Sequence, residues 1–183
     1  MTTPFAFPRE YSFPPFFTRQ TNLTTHHAQL TKWSALVLSY CRHHRIFKLP
    51  LSSFVDDTPS PVADDLFRNR KLNRRLSLAD IREVIDFLRK DGRAENAIDS
   101  GDVVWIYWRT PEEWGALVDN WIEETAQRGS VLTLYELTDG EGSRGTEFHG
   151  MDGELLQKAL GTLVKRGKAQ IFGGEDSLGV KFF

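Results

Sequence analysis

Thr110–Gly129 reads TPEEWGALVDNWIEETAQRG and decides the fold, because it predicts the clearest helix in the chain. Thr110 and Glu113 form a Thr-x-x-Glu capping box, and Pro111 takes the first helical position, where a backbone N–H is not needed. Apolar residues then recur at helical spacing: Trp114, Leu117, Val118, Trp121 and Ile122. Gly129 is expected to supply the left-handed stop.

An earlier stretch repeats this helix. The matching residues have the same spacing in both places: Trp33, Ala35, Leu36, Val37, Tyr40 and Cys41 against Trp114, Ala116, Leu117, Val118, Trp121 and Ile122. A first helix is therefore predicted from about Ala28 to Arg45. The stretch at Thr110–Gly129 then opens a second copy of the same unit.

The second half of each unit also repeats, with a shift of 75 positions. The helical matches are Ile81, Ile85, Leu88, Gly92 and Ala94 against Leu156, Leu160, Leu163, Gly167 and Ala169. The strand matches are Val103, Trp105 and Tyr107 against Leu178, Val180 and Phe182. Helices followed by a terminal β-ribbon predict two tandem winged helices, in a mostly α fold with small β-ribbons (α+β). We assign residues 1–27 to an extended docking segment, 28–109 to the first winged helix and 110–183 to the second.

Charge is unevenly distributed. The net charge is −2, but residues 1–109 carry +4 and residues 110–183 carry −6. The single cysteine, Cys41, excludes an intrachain disulfide and matches Ile122, so it is expected to be a core residue. The chain shows neither a signal-peptide pattern nor a membrane-spanning apolar run, which predicts a cytoplasmic protein without membrane insertion.

Residues 1–20, MTTPFAFPREYSFPPFFTRQ, form what we call the aromatic segment. Its prolines remove backbone donors and exclude a helix interior or a central strand: Pro4, Pro8, Pro14 and Pro15. Its aromatic residues distinguish it from disordered tails: Phe5, Phe7, Tyr11, Phe13, Phe16 and Phe17. Such a segment needs a surface to lie on, which is either its own domain or another chain. We expect it to serve assembly and to contribute little to folding.

A basic cluster follows the acidic, proline-bearing loop predicted at residues 56–65. It comprises Arg68, Arg70, Lys71, Arg74 and Arg75. Interleaved apolar residues favour a short helix with a solvated basic face; contact with nucleic acid is the alternative. DNA-binding winged helices insert one helix of the unit into a groove. The corresponding helices of this chain argue against contact with nucleic acid, because they carry acidic residues that would repel phosphate: Asp80, Glu83, Asp86, Asp152 and Glu154.

Gly140–Gly145 reads GEGSRG and matches G-x-G-x-x-G literally. Since neither a βαβ unit nor a directly following long helix accompanies it, we interpret it as a loop and not as a dinucleotide site. The adjacent pairs His26-His27 and His43-His44 lack the i, i+4 spacing of a metal site. We therefore expect no cofactor, no metal and no enzymatic activity, and interpret the chain as an interaction module.

Five motifs, in order along nearly the whole chain, resemble those of the small subunits of the ESCRT-II complex. This family consists of vacuolar protein sorting-associated proteins. The motifs are FPPFF at 13–17, TPEEWG at 110–115, LYELT at 134–138, EFHG at 147–150 and GVKFF at 179–183. The chain departs from that pattern mainly at residues 46–65 and at its N-terminus.

The resemblance implies tandem winged helices that bind proteins. It implies that the proline–phenylalanine motif docks on the two larger winged-helix subunits of ESCRT-II: Phe13, Pro14, Pro15, Phe16 and Phe17. It also implies that the second winged helix recruits an ESCRT-III subunit at the endosome. Residues 131–137 are predicted to form a strand. From the residues, the acidic side chains placed best to steer that partner lie on this strand and its following loop, although they equally well keep the domain soluble: Glu136, Asp139, Glu141 and Glu147.

Overall fold

Two units make up the chain, Met1–Trp108 (unit one) and Arg109–Phe183 (unit two). The structure is a computed structural model and describes residues 3–54, 64–97, 102–174 and 177–183. Most of the loop predicted at residues 56–65 therefore lies outside the described residues.

Within its described residues, unit one contains three α-helices and two small sets of strands. The helices are α1 (Leu23–His44), α2 (Asp64–Phe67) and α3 (Leu78–Lys90). The strands are β1 (Lys48–Pro50), β2 (Arg68–Asn69), β3 (Arg74–Arg75), β4 (Ala94–Asn96) and β5 (Val103–Ile106). An antiparallel sheet has the order β1-β5-β4, and β2 and β3 form a separate hairpin.

Unit two follows the same plan. Its helices are α4 (Pro111–Glu124), α5 (Leu134–Thr138) and α6 (Gly153–Lys165). Its strands are β6 (Val131–Thr133), β7 (Ala169–Phe172) and β8 (Gly179–Phe182), in the antiparallel order β6-β8-β7. In each unit, the strand after the first helix pairs with the last strand of the ribbon, as in a winged helix. The predicted α+β class with tandem winged helices is confirmed.

Helix α1 begins at Leu23, five residues before the predicted Ala28. The reason is a cap that the prediction overlooked, because Asn22 Oδ1 accepts a hydrogen bond from the Thr25 N–H at 3.1 Å. The buried face of α1 is a continuous stripe: Gln29, Trp33, Ser34, Leu36, Val37, Tyr40 and Cys41. Burial raises the pKa of the Cys41 thiol, and the predicted core role of this residue is confirmed.

Helix α4 has the predicted start but a different end. The Glu113 N–H donates to Thr110 Oγ1 at 3.2 Å, and the Thr110 N–H donates to Glu113 Oε2 at 2.9 Å, which completes the capping box. The helix ends at Glu124, and Ala126 adopts the left-handed conformation with φ 54°. Gly129 (φ 81°) lies in the following turn, where its N–H donates to the Phe182 carbonyl at 2.8 Å. The predicted stop at Gly129 is therefore wrong.

The repeat is regular up to the β-ribbon and then slips by one residue. Helices α3 and α6 begin and end 75 positions apart, and left-handed glycines follow both of them, at φ 73° for Gly92 and 71° for Gly167. Ala94 pairs with Ile106, whereas Ala169 pairs with Phe182, 76 positions further on. The predicted matches of Val103, Trp105 and Tyr107 with Leu178, Val180 and Phe182 are therefore wrong by one residue, because the chain between the paired strand residues is one residue longer in the second ribbon.

Residues 131–137, predicted as one strand, form a strand and then a helix. Strand β6 ends at Thr133, whose Oγ1 accepts from the Glu136 N–H at 3.0 Å. The Glu136 carboxylate accepts in return from the Thr133 N–H at 3.4 Å. This second Thr-x-x-Glu capping box starts α5 and was visible in the sequence.

The basic cluster forms a hairpin and not the predicted helix. Arg68 pairs with Arg75, and Asn69 pairs with Arg74. Asn73 takes the left-handed turn position with φ 52°, and Asn69 Oδ1 accepts from the Leu72 N–H at 3.3 Å. Asparagine favours such turns, so local hydrogen bonding outweighs the helical spacing of the neighbouring leucines.

Candidate protein-interaction site

The aromatic segment follows a defined path through two short 3-10 turns, Arg9–Ser12 and Pro14–Phe17. The Tyr11 N–H donates to the Pro8 carbonyl and the Phe16 N–H donates to the Phe13 carbonyl, both at 3.0 Å. Proline supplies the fixed φ that such turns need and lacks the N–H that they would leave unpaired. The segment is therefore locally ordered by its own sequence.

Three of its rings lie in the core of unit one. Tyr11, Phe16 and Phe17 are buried there. The Phe16 ring stacks on the Trp33 indole with centroids 4.3 Å apart and planes at 3°, and Phe17 meets the same indole edge-on at 5.4 Å. Burying each phenylalanine is worth about 1.5–3 kcal/mol. The expectation that the segment contributes little to folding is therefore wrong.

Polar contacts hold the first turn of the segment against the hairpin. The Tyr11 hydroxyl lies within hydrogen-bond distance of the Asp65 and Arg68 carbonyls, at 2.9 Å from the latter. Asn69 Nδ2 donates to the Tyr11 carbonyl at 2.7 Å. Burial, with smaller contributions from Asp65 and Tyr40, raises the pKa of the Tyr11 phenol. The hydroxyl therefore stays protonated and available as a donor.

Helix α1 binds the backbone of the second turn. Trp33 Nε1 and Gln29 Nε2 both donate to the Phe16 carbonyl at 2.9 Å, and Gln29 also reaches the Thr18 carbonyl at 2.8 Å. Sequence reasoning missed Gln29. The available signal was its position four residues before Trp33 on the apolar face of α1, because a polar residue on a buried face needs hydrogen-bond partners.

An ion-pair group fixes the chain just after the motif. Glu83 of α3 accepts from Arg19 Nε at 2.7 Å, and its other oxygen lies 2.8 Å from His26 Nε2. The hydrogen bond from Arg19, followed by that from His26, lowers the pKa of the Glu83 carboxyl. Glu83, whose charge opposes contact with DNA, thus holds the segment in place.

Phe13 differs from its neighbours in facing solvent. Its side chain is 52% exposed, and Pro14 and Pro15 are exposed beside it. An open cavity of about 240 Å³ adjoins it, bordered by Phe13 and Pro15 from the segment and by Gln29 and Lys32 from α1. The structure therefore divides the five predicted docking residues into a buried pair, Phe16 and Phe17, and an exposed group of three.

Two of the four acidic residues singled out in unit two have structural partners. Glu136 caps α5 through the Thr133 N–H, as described above. The half-buried Glu147 accepts from Arg109 Nη2 at 2.8 Å and from Arg109 Nε at 2.9 Å, both at the same carboxylate oxygen, Oε2. Glu136 lies on a helix, so the expectation that all four residues lie on one strand and its loop is wrong.

The other two acidic residues, Asp139 and Glu141, are exposed. Asp139 borders an open cavity of about 530 Å³ together with Tyr135 and Leu178, and it accepts from Thr138 Oγ1 at 2.7 Å. Glu141 lies 3.2 Å from Arg144, and both side chains are largely in water. Pairs of this kind contribute little to stability, so these two charges remain available for long-range attraction.

Helices α3 and α6, which correspond to the DNA-reading helices of other winged helices, carry acidic groups. Asp86 on α3 pairs with Arg89. At the start of α6, Asp152 Oδ1 accepts from the N–H groups of Glu154 at 2.9 Å and Leu155 at 3.3 Å. A carboxylate thus occupies the helix terminus that would otherwise favour phosphate.

Gly140–Gly145 contains a short 3-10 turn, Glu141–Ser143, and is a loop as interpreted. Across the described residues, no group of three or more His, Cys, Asp or Glu side chains is arranged to hold a metal ion. Over the same residues, no helix has both the length and the apolar character that spanning a bilayer requires.

Comparison with known proteins identifies the family. The family model described as ESCRT-II complex subunit matches residues 10–152. The vacuolar protein-sorting-associated protein 25 of Homo sapiens is 43% identical over 183 residues, covering 100% of both chains. Its counterpart in Xenopus laevis is 41% identical over 179 residues, covering 98% of this chain and 99% of the relative. The counterpart in Dictyostelium discoideum is 33% identical, covering 98% and 96%.

Solved structures support the same family assignment. The crystal structure of subunit VPS25 of the endosomal trafficking complex ESCRT-II matches with a TM-score of 0.82 and 30% identity, covering 99% of both chains. A chain of the endosomal complex ESCRT-II (VPS22/VPS25/VPS36) matches with a TM-score of 0.80 and 27% identity, covering 96% of this chain and 98% of that one. The chain therefore belongs to the family of ESCRT-II complex subunits, alongside the vacuolar protein-sorting-associated proteins 25.

Proposed function

We propose that the chain joins the two larger winged-helix subunits of ESCRT-II through its residues 13–17, with Phe13 as the side chain that enters the partner. The observation that carries this proposal is the exposure of Phe13, 52%, on a segment whose nearby rings are buried. An aromatic ring held in water by an ordered backbone is poorly explained by folding, whereas aromatic residues are enriched at the centres of protein interfaces.

Membership of the family makes the chain a structural, non-enzymatic subunit of ESCRT-II. The solved relative that carries the name of three subunits, VPS22/VPS25/VPS36, supports two larger chains as the partners. Through that complex we place the chain in the cytoplasm at the surface of endosomal membranes. We assign it no direct membrane insertion and no nucleic-acid partner.

Phe16 and Phe17 serve the docking indirectly. Because they anchor the second turn in unit one, the chain presents Phe13 with Pro14 and Pro15 on a base that is already folded. Prolines flanking the ring lower the conformational entropy that binding must remove. Entry of Phe13 into an apolar pocket of the partner would contribute about 1.5–3 kcal/mol.

Co-expression of the full chain with the two larger subunits tests this function. The wild-type chain should co-purify with them, and Phe13→Asp should reduce its recovery by at least about tenfold, because a carboxylate would have to be desolvated in an apolar pocket. Phe183→Asp is the matched control, since Phe183 is 53% exposed but lies in unit two. Equal recovery of the wild type, Phe13→Asp and Phe183→Asp would contradict docking through Phe13.

We further propose that unit two recruits an ESCRT-III subunit, as the second winged helix is expected to do in this family. Unit two carries a charge of −6, and a basic partner segment would be attracted to it. Asp139 and Glu141 suit this role best among the four acidic residues, since Glu136 and Glu147 also serve the fold.

Stopped-flow binding of a basic N-terminal peptide of that subunit to the full chain tests the steering role. The double change Asp139→Lys and Glu141→Lys should lower the association rate constant by about three- to tenfold at low salt and alter the dissociation rate constant less. The melting temperature should stay unchanged, because both side chains are exposed. If the association rate constant is unaffected, these charges only keep the unit soluble.

A further inference from the structure

A buried carboxamide lies where helix α1 meets the aromatic segment. Gln29 is 9% exposed and occupies the apolar face of α1, one turn before Trp33. A glutamine at such a position loses hydration and side-chain entropy on folding, and stays there at low cost only when its donors are satisfied.

The partners of Gln29 are carbonyl groups of the docking motif. Its Nε2 donates to Phe16 at 2.9 Å, to Thr18 at 2.8 Å and more weakly to Pro15 at 3.4 Å. Since carbonyl oxygens only accept, the nitrogen end of the carboxamide must face them, which fixes the orientation of the side chain. The two hydrogens of this buried NH2 group thus serve chiefly the Phe16 and Thr18 carbonyls, at the end of the turn and directly after it.

The same turn determines where Phe13 points. The Phe16 N–H donates to the Phe13 carbonyl at 3.0 Å, and the Thr18 N–H donates to the Pro15 carbonyl at 3.1 Å. With its ring about half in solvent, Phe13 takes its direction largely from this backbone. Gln29 therefore holds the base on which the exposed ring stands.

We propose that Gln29 is the positioning residue of the docking motif. It keeps residues 13–18 in the conformation that binds the partner. The conformational entropy of this segment is therefore lost during folding and not during binding. This inference rests on the proposed docking through Phe13 and adds a residue that determines the affinity from beneath the docking surface. A chain without the clamp would be competent to bind for only a fraction of the time, and its apparent affinity would fall by that fraction.

The comparison of Gln29→Leu with Gln20→Leu tests this role. Gln20 Nε2 donates to two of the same carbonyls, Pro15 at 3.1 Å and Thr18 at 2.8 Å, but from a more accessible position where water can replace it. We expect Gln29→Leu to weaken binding of the full chain to the two larger subunits by about tenfold or more. Gln20→Leu should bind within about twofold of the wild type, because its lost hydrogen bonds are replaced by solvent.

Hydrogen exchange separates positioning from general stability. In Gln29→Leu, the amides of Phe16 and Thr18 should exchange faster while the amides of α3 keep their protection. Wild-type affinity of Gln29→Leu, or weaker binding accompanied by equal loss of protection in α3, would overturn the proposal. Phe13→Asp distinguishes failure of the positioning role from failure of the docking function. If it abolishes binding while Gln29→Leu does not weaken it, only the positioning role is wrong; if Phe13→Asp also binds normally, the docking function itself fails.

Discussion

The two winged helices share a fold but complete their hydrophobic cores differently. In unit one, α1 is extended at its N-terminus and receives Tyr11, Phe16 and Phe17 from the aromatic segment. In unit two, α4 begins at the Thr110 cap and packs extensively on α6. The comparison shows that an additional segment can complete a core and hold another of its aromatic side chains, Phe13, in solvent at the same time.

Equivalent positions show the divergence in detail. Glu83 on α3 binds Arg19 and His26, whereas the position 75 residues later on α6 is Lys158. Ser34, next to Trp33 in α1, corresponds to Gly115, next to Trp114 in α4. A Cβ at Gly115 would lie 2.9 Å from the Ala159 carbonyl and 2.8 Å from Thr162 Oγ1. Close helix contact in unit two thus depends on a missing side chain, while unit one has room for a hydroxyl.

Deletion of residues 1–20 should produce the largest difference in stability between the two units. It removes three buried rings, each worth about 1.5–3 kcal/mol, from a unit whose whole stability is expected to be about 5–15 kcal/mol. Hydrogen exchange should show loss of protection throughout α1 and α3 and unchanged protection in α4 and α6. If unit one kept its protection, the segment would lie on a core that is already complete.

Gly115→Ala and Ser34→Ala should have opposite effects. Overpacking against Ala159 typically costs about 1–3 kcal/mol, and the better helix propensity of alanine returns at most about 1 kcal/mol. The Ser34 hydroxyl is buried without a hydrogen-bond partner among the described residues, so its removal should be neutral or stabilise by up to about 1 kcal/mol. Urea unfolding of both variants measures this difference. Equal effects would show that the two helix pairs are packed alike.

Glu83→Gln should have a small and pH-dependent effect. The folded-state pKa of Glu83 is lowered from its ordinary 4.5, so its stabilising contribution is present at neutral pH and is lost as the pH falls below 4.5. Because the pair is largely exposed, the variant should lose only about 0.5 kcal/mol at pH 7. Urea unfolding at pH 7 and in acid should show that this difference shrinks. A difference that grows in acid would contradict the assigned partners.

Much of the fold was predictable because its signals are local. The capping box at Thr110, the cap at Ser77 and the left-handed glycines after α3 and α6 depend only on neighbouring residues, and the structure contains all of them. The second capping box, Thr133 to Glu136, is an equally local signal, and it ends the strand at Thr133, four residues before the predicted end at residue 137. The one-residue slip in the ribbons depends on turn length, which hydrophobic matching does not detect.

The site was predictable only in part, because burial of the aromatic segment depends on distant partners. Six aromatic residues indicate that the segment needs a surface, but the choice between Phe13 and Phe16 depends on Trp33 and Gln29, which lie on a helix further along the chain. The amino-acid composition of the segment does not distinguish Phe13 from Phe16. The 3-10 turn that separates their directions follows from Pro14 and Pro15, whose effect on side-chain direction is not encoded in a periodic pattern.

Phe13 and Phe16 provide the most direct measurement of the central claim, which is that one segment has a folding part and a docking part. Thermal unfolding and binding to the two larger subunits should be measured on Phe13→Ala and Phe16→Ala in the full chain. Phe16→Ala should lose about 3–5 kcal/mol of stability through the cavity it leaves beside Trp33. Phe13→Ala should change stability by less than about 0.5 kcal/mol and weaken binding by about tenfold or more. Destabilisation by Phe13→Ala, together with unaltered binding, would contradict the account.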